Sequence, residues 1–373
     1  MNMPKILFTS ILFVLFITAC GLYYTPQKIT HTVTANTEQA AEGKRLTMMM
    51  CASCHYNPDT KQLTGKRLHD IPGIAGKVYA SNITQDMDYT DGELVYLIRT
   101  GIAKDGRLMP YMQRPNLATQ DLDAIIAFLR SNDPLVRPSG IKTPHTKYTP
   151  MGKFGISHFS KPLPYHDTII KKPVEKKALG RYLADNLGCF HCHSAGFTKV
   201  DMNEPERSKG YMGGGQKMKN ENGEKINVPN LTFHETGISN WTENDLVRAL
   251  KEGFNKNNEV IRPPMPVYPE LSKEEISALY AYLQTIPPIN NKVNRTVNPG
   301  AGLYTKYGCN SCHGSDGKGT YNLHSKLSDE QLVSYISNPR SFDNEKMPVY
   351  KDVIKEQDLK QLVEFVKKLG RVR

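Results

Sequence analysis

Cys51-Ala-Ser-Cys54-His55, Cys189-Phe-His-Cys192-His193 and Cys309-Asn-Ser-Cys312-His313 contain six of the seven cysteines of this 373-residue chain. Each reads C-x-x-C-H. Two thiols at this spacing on a helical turn reach the two vinyl groups of one haem and form thioethers; the His that follows then lies under the iron. Two other chemistries use paired cysteines. A thioredoxin-like redox pair needs no His after its second Cys, and all three copies have one. Zinc needs a fourth ligand at short spacing, and none recurs. The motifs therefore predict three covalently bound haem c groups. Cys51, Cys54, Cys189, Cys192, Cys309 and Cys312 attach them, and His55, His193 and His313 each supply one iron ligand.

The seventh cysteine closes the N-terminal segment. Lys5 precedes an apolar stretch, residues 6–19, that ends in Ile17-Thr18-Ala19-Cys20-Gly21. The stretch is short for a bilayer span and has the basic flank and small residues of a cleaved export signal. The Cys after those small residues resembles a bacterial lipobox. Residues 1–19 are expected to be a lipoprotein signal peptide, and Cys20 the lipidated N-terminus of the mature chain. Residues 20–37, Thr-rich and without periodicity, read as a tether. The expected location is outside the cytoplasm, lipid-anchored at the bacterial cell membrane on the periplasmic side or the outer surface. Covalent haem attachment also takes place there.

Composition narrows the classes further. Beyond the N-terminal segment no run of about 20 apolar residues exists, which excludes a polytopic membrane protein. The apolar fraction is 39 %, below the usual 45–50 % or so, yet 19 Tyr and 12 Phe argue for packed cores rather than disorder. The net charge of +11 could suit nucleic acid. Export argues against that partner, and Lys and Arg are spread along the whole chain. They are better placed to offset haem propionates and to steer an acidic redox protein.

The chain repeats three times. Each haem motif follows a short helical pattern carrying a Gly: Gly43, Gly180 and Gly302. Each repeat closes with an amphipathic helix bearing an aromatic: Phe128, Tyr282 and Phe365. Ser272-Lys-Glu-Glu275 is a capping box for the second of these helices. Residues 131–172 hold six Pro and many Lys without a sustained period, as expected of a linker. The boundaries expected are repeat 1 at 38–133, linker at 134–172, repeat 2 at 173–290 and repeat 3 at 291–373. A haem buries much apolar area, which explains how such short repeats hold a core.

The sixth iron ligand separates a carrier from a catalyst. His with Met gives a saturated iron suited to passing electrons, whereas an open position admits peroxide chemistry. After each C-x-x-C-H stands one Met-Pro before the closing helix: Met109-Pro110, Met265-Pro266 and Met347-Pro348. The last two continue Val-Tyr. In the first repeat Met112 follows within the same loop and competes with Met109, and the Pro pairing favours Met109. Ordinary gap filling explains a single core Met but not three at equivalent places. The rival from the enzyme class is a multihaem peroxidase with one open haem.

With these motifs the chain resembles multihaem bacterial c-type cytochromes built from class I cytochrome c domains. It is most similar to the three-haem cytochrome subunit of membrane-bound alcohol, gluconate and related dehydrogenases. The resemblance implies an all-α fold of three tandem class I cytochrome c domains, joined by irregular Pro/Lys-rich linkers. It implies a Gly-to-aromatic crossing of the first and last helices in each domain. It also implies an electron carrier rather than an enzyme, reduced by an upstream dehydrogenase or quinol-oxidising unit and oxidised by a terminal oxidase or smaller cytochrome. Asn230-Leu-Thr232 with the following Trp241 looks like that family's segment between haem motif and Met. Asn82-Ile-Thr84 is its counterpart in the first repeat, and the third repeat lacks it. In such domains a Trp near the haem often holds a propionate, so Trp241 is a candidate; a plain core Trp is the alternative.

Overall fold

Short helices carry the three motifs. The computed structural model describes residues 23–68, 71, 73–219, 225–257, 261, 264–293, 299–314, 317, 323 and 327–371. The signal segment and Cys20 lie outside the described residues. In chain order the helices are α1 (Thr37–Met50), α2 (Ala52–His55), α3 (Asp91–Thr100), α4 (Thr119–Leu129), α5 (Pro150–Phe159), α6 (Lys176–Asn186), α7 (Cys189–His193), α8 (Glu243–Val247), α9 (Lys273–Leu283), α10 (Pro299–Lys306), α11 (Cys309–His313), α12 (Asp329–Ser337) and α13 (Glu356–Arg371). The strands are only two or three residues long: β1 (Gly76–Lys77), β2 (Lys147–Tyr148), β3 (Lys217–Lys219) and β4 (Lys225–Asn227). The fold is thus helical, as the resemblance implied.

The caps are local and legible. Asn36 accepts from the Gln39 amide and starts α1. Thr90 with Glu93 opens α3, Ser272 with Glu275 opens α9, and Ser328 with Gln331 opens α12, each as a full capping box. α3 stops at Gly101, whose φ of +80° turns the chain toward the Met109 loop.

The described residues form two compact units. The first contains residues 23–219, 227–243 and 268–293; the second contains 225–226, 244–267 and those from 299 onward. In the first unit α1 packs on α4, and α6 on α9. A Cβ at Gly43 would collide with the carbonyl of Ala124 and come within 2.9 Å of Phe128 Cβ. At Gly180 it would collide with the carbonyl of Ala278 and come within 2.7 Å of Tyr282 Cβ. The missing side chain lets backbones touch, and the ring fills the remaining groove.

In the second unit α10 packs on α13 in the same way. Here the sequence reading needs a correction. The crossing residue is Gly300, not Gly302: a Cβ at Gly300 would collide with the carbonyl of Gln361 on α13 and come within 2.5 Å of Phe365 Cβ. Gly300 stands nine residues before Cys309, as Gly180 stands nine before Cys189. Tyr304 meets Phe365 edge-on at 5.4 Å, over a core of Leu332, Ile336, Leu362 and Val363.

Two stretches read as connectors are structured. Residues 23–36 lie extended along the first repeat. The Tyr24 amide donates to Gly106 O (2.7 Å), the Val33 amide to Asp91 (3.1 Å), and His31 meets Asp123 (2.8 Å). Within 134–172, β2 pairs antiparallel with β1, Gly76 opposite Tyr148. α5 follows, capped by Thr149 and started by Pro150. The Leu63 amide donates to Leu135 O and the Thr119 amide to Ile170 O (2.9 and 2.8 Å), so this stretch covers the first helix pair.

The first unit is also tied across its two helix pairs. Tyr182 of α6 donates to Asp121 of α4 (2.7 Å) and accepts from the Ala118 amide (3.1 Å), while Lys172 pairs with Asp121 (3.0 Å). Arg45 of α1 makes a two-pronged pair with Glu275 of α9 (2.8 and 3.0 Å). Planar, charge-assisted contacts of this kind fix orientation as well as contributing energy.

Candidate haem sites

α2, α7 and α11 each consist of little more than a C-x-x-C-H motif. A single helical turn brings both thiols and the imidazole to one side. His55 and His193 are 5 % and 6 % exposed; His313 is half-buried. His55 Nδ1 donates to Ser81 O (2.7 Å) and His193 Nδ1 to Pro229 O (2.9 Å). That bond leaves Nε2 as the nitrogen for iron and sets the plane of the ring. Burial holds both imidazoles neutral, as a ligand must be, with His193 pushed down to about 4.

The carbonyls that hold these rings explain the shared Asn-x-Thr segment. Ser81 precedes Asn82, and Pro229 precedes Asn230. In both copies the Asn side chain accepts from the Thr amide two residues on, at 2.9 Å, and its NH₂ reaches across to a distant carbonyl. For Asn82 that is Ile141 O (2.9 Å); for Asn230 it is Ile289 O (2.8 Å). The Asx turn thus pins the loop whose first carbonyl aims the imidazole. The sequence reading saw the repetition and looked to Trp241 for its purpose. Trp241 is half-buried, and its own carbonyl accepts from Tyr280 (2.9 Å). The repeated Asn two residues before a Thr was the signal for the pinning role.

Met109 lines a cavity of about 450 Å³ together with Tyr79, Ser81, Arg107, Lys142 and His145. Ser81, whose carbonyl accepts from His55, is among the cavity's lining residues. The Met109 amide donates to Gly101 O (2.6 Å), tying the loop to the end of α3. Met112 ends the short helical turn that Pro110 begins and is not among the cavity's lining residues. In the second unit α8 runs into a π-helical turn, Arg248–Glu252, and stops at Gly253 (φ +75°) ahead of Met265. Met347 packs against the second unit's core, as does Cys309.

The cysteine chemistry separates the alternatives. Burial pushes the Cys51 and Cys309 thiols up to about 11 and Cys189 to about 12. A redox pair needs its attacking thiol lowered, and these are raised. Among the described residues no three His, Cys, Asp or Glu side chains gather as a zinc site would need. The polar groups left over fit a haem. Ser194 Oγ, next to His193, and both side-chain amide atoms of Gln216 are buried without a partner. The Gln216 backbone pairs with Val228, beside the carbonyl that holds His193. Such groups need a polar partner from a bound molecule, and haem carboxylates provide one.

Helix pairs crossing at a Gly, a C-x-x-C-H turn and a neutral, carbonyl-held imidazole define a c-type cytochrome. The chain belongs to the cytochrome c family: residues 40–133 and 178–287 match the family described as cytochrome c, more than half of the chain. Residues 295–366 match cytochrome c oxidase, cbb3-type, subunit III. Among curated relatives, the cytochrome c subunit of the quinone alcohol dehydrogenase of Gluconobacter oxydans is 25 % identical, over 85 % of this chain and 75 % of its own length. The cytochrome c subunit of gluconate 2-dehydrogenase of Pantoea cypripedii is 29 % identical, over 72 % and 67 %. The cytochrome subunit of fructose dehydrogenase of Gluconobacter japonicus is 25 % identical, over 72 % and 62 %. The protein carries covalently bound haem c and transfers electrons; it is not a catalytic subunit. Among the described residues no helix is long and apolar enough to cross a membrane.

Proposed function

We propose that this chain is a lipid-anchored tri-haem relay. It takes electrons from a dehydrogenase or quinol-oxidising unit and passes them to a terminal oxidase or smaller cytochrome. Bound haem supplies reversible one-electron chemistry. The protein's part is to hold each iron between an imidazole and a thioether: His55 with Met109, His193 with Met265, and His313 with Met347. The observation that carries the reading is the Met-Pro loop that recurs after every C-x-x-C-H. In the first repeat Met109 lines the same cavity as Ser81, whose carbonyl accepts from His55. Thioether ligation favours ferrous iron and closes the position that small ligands would use. The relatives' roles as cytochrome subunits of dehydrogenases support an upstream dehydrogenase. The apolar N-terminal segment ending at Cys20 supports export and an acyl anchor at the membrane.

One preparation of the full-length protein tests the reading. Pyridine haemochrome should count three haems per chain, and the reduced wild type should not bind carbon monoxide. Met265→Ala or Met347→Ala should each open one iron to carbon monoxide and lower one potential. Cys20→Ala should move the protein out of the membrane fraction or block its processing. Stoichiometric carbon monoxide binding by the reduced wild type, with peroxide turnover, would replace the relay by a peroxidase. A Cys20→Ala chain that is processed and retained in membranes as before would remove the lipid anchor.

A further inference from the structure

Arg114 lies on the loop between Met109 and α4, in the first unit, where the two haem motifs of that unit approach each other. Its loop is held on every side. The Arg114 amide donates to Ile98 O (2.7 Å), and the Gln113 side chain to the Thr100 and Lys161 carbonyls (2.9 and 2.8 Å). Arg99, itself 6 % exposed, donates to the Pro115 carbonyl (2.9 Å) and to that of Leu117.

The guanidinium of Arg114 is thereby aimed. Nε donates to Asn186 O (2.8 Å), three residues before Cys189, and Nη1 to Gln113 O (2.8 Å) and Tyr111 O (3.3 Å). Arg114 and Phe190, the residue between Cys189 and His191, line one small crevice. The charge also acts on the first motif: the Cys51 and Cys54 thiols lie in its field, as do His191 and the buried hydroxyl of Tyr268. Tyr268 in turn feels Cys54 together with Cys189 and Cys192, so both attachment turns act on the same hydroxyl. Among the described residues Arg114 forms no ion pair; its hydrogen bonds go to neutral backbone carbonyls. A cation whose protein partners are all neutral carbonyls thus lies beside the haem attachment turns.

We propose that Arg114 is a positioning charge shared by the first and second haem sites, raising the reduction potential of both. The inference rests on the tri-haem reading and goes beyond it. Ferric haem carries one more positive charge than ferrous haem, so a nearby cation favours reduction. Arg114 is half-buried, so solvent screens that effect only in part. The other contacts of Arg114 hold it in place; none of them needs a charge.

Redox titration of the full-length holoprotein, followed optically, tests this. Arg114→Gln keeps hydrogen-bonding ability but removes the charge. At least two of the three potentials should fall, by comparable amounts. Arg114→Lys keeps the charge, and its potentials should stay near wild type. A Gln variant with fewer than two potentials lowered overturns the proposal. So does a Lys variant shifted as far as Gln, because packing rather than charge would then be the cause. Haem content measured on each variant keeps the two readings apart: fewer than three haems in the wild type is a failure of the tri-haem reading, while three haems with unmoved potentials is a failure of this one.

Discussion

The proximal histidines of the first unit and of the second differ in burial. His55 and His193 are buried, and each donates to a carbonyl that an Asx turn keeps in place. His313 is half-buried, and no Asn-x-Thr follows its haem motif. The helix crossing, by contrast, is the same in all three: Gly43 on Phe128, Gly180 on Tyr282, Gly300 on Phe365. The scaffold is therefore what the repeats share. The Asx turn behind the carbonyl that takes the histidine's hydrogen bond occurs in the first unit, at Asn82 and Asn230, where two helix pairs are also locked together by Arg45–Glu275 and Tyr182–Asp121.

The most damaging way to test the shared part is a branched side chain at a crossing. Gly180→Val or Gly300→Val must push two helix backbones apart, at a cost of about 3 kcal/mol or more for overpacking. Calorimetry should show each variant losing stability in its own unit, with fewer haems retained there. If both variants tolerate the change without a lower melting temperature, the crossings are not close contacts.

A smaller effect should mark the difference between the units. Asn230→Ala removes the turn behind the Pro229 carbonyl and leaves buried partners unsatisfied, costing about 1–3 kcal/mol. A looser carbonyl makes the imidazole a weaker donor to iron, so the second haem's potential should rise. Asn82→Ala should do the same at the first haem. Unchanged potentials in both variants would reduce the Asn to a loop-stabilising role.

The smallest effect is one of pH. Burial raises the Asp185 carboxyl to about 7, with Glu206 adding to the rise and Arg181 opposing it. Tyr211 and Arg181 approach it at 3.5 and 3.7 Å. An unfolded Asp titrates near about 3.9. Between about pH 4 and 7 the folded chain holds a proton that the unfolded chain has released. Stability from this group is therefore full at the acidic end and lost as pH rises through about 7. Asp185→Asn should flatten that slope in the first unit. A slope equal to wild type would mean the group titrates normally.

Much of this was legible in the sequence because haem attachment demands a contiguous motif. The C-x-x-C-H turns, the closing aromatics and the Ser272 capping box are all local patterns. Gly302 was mistaken for Gly300 because Pro299 starts α10 one residue earlier and hides Gly300 in what reads as a linker. α5 was missed for a similar reason: among many prolines, the Thr149-Pro150 pair that begins a helix reads as one more break. Asn82 and Asn230 were visible, but their purpose was not. It depends on Ile141 and Ile289, each 59 residues further along the chain, whose carbonyls complete each turn.

The extended segment at 23–36 sets a length scale. Tyr24 is fastened to Gly106, and Tyr23 bridges to Arg107. If Cys20 carries the acyl chains proposed above, the chain length from there to Tyr23 is about 10 Å at full stretch. The first repeat would then ride directly on the lipid surface rather than swing from a long cord. Partners embedded in the same bilayer would meet it by a search in two dimensions, at a fixed height and from the side, where a short tether holds the effective concentration high.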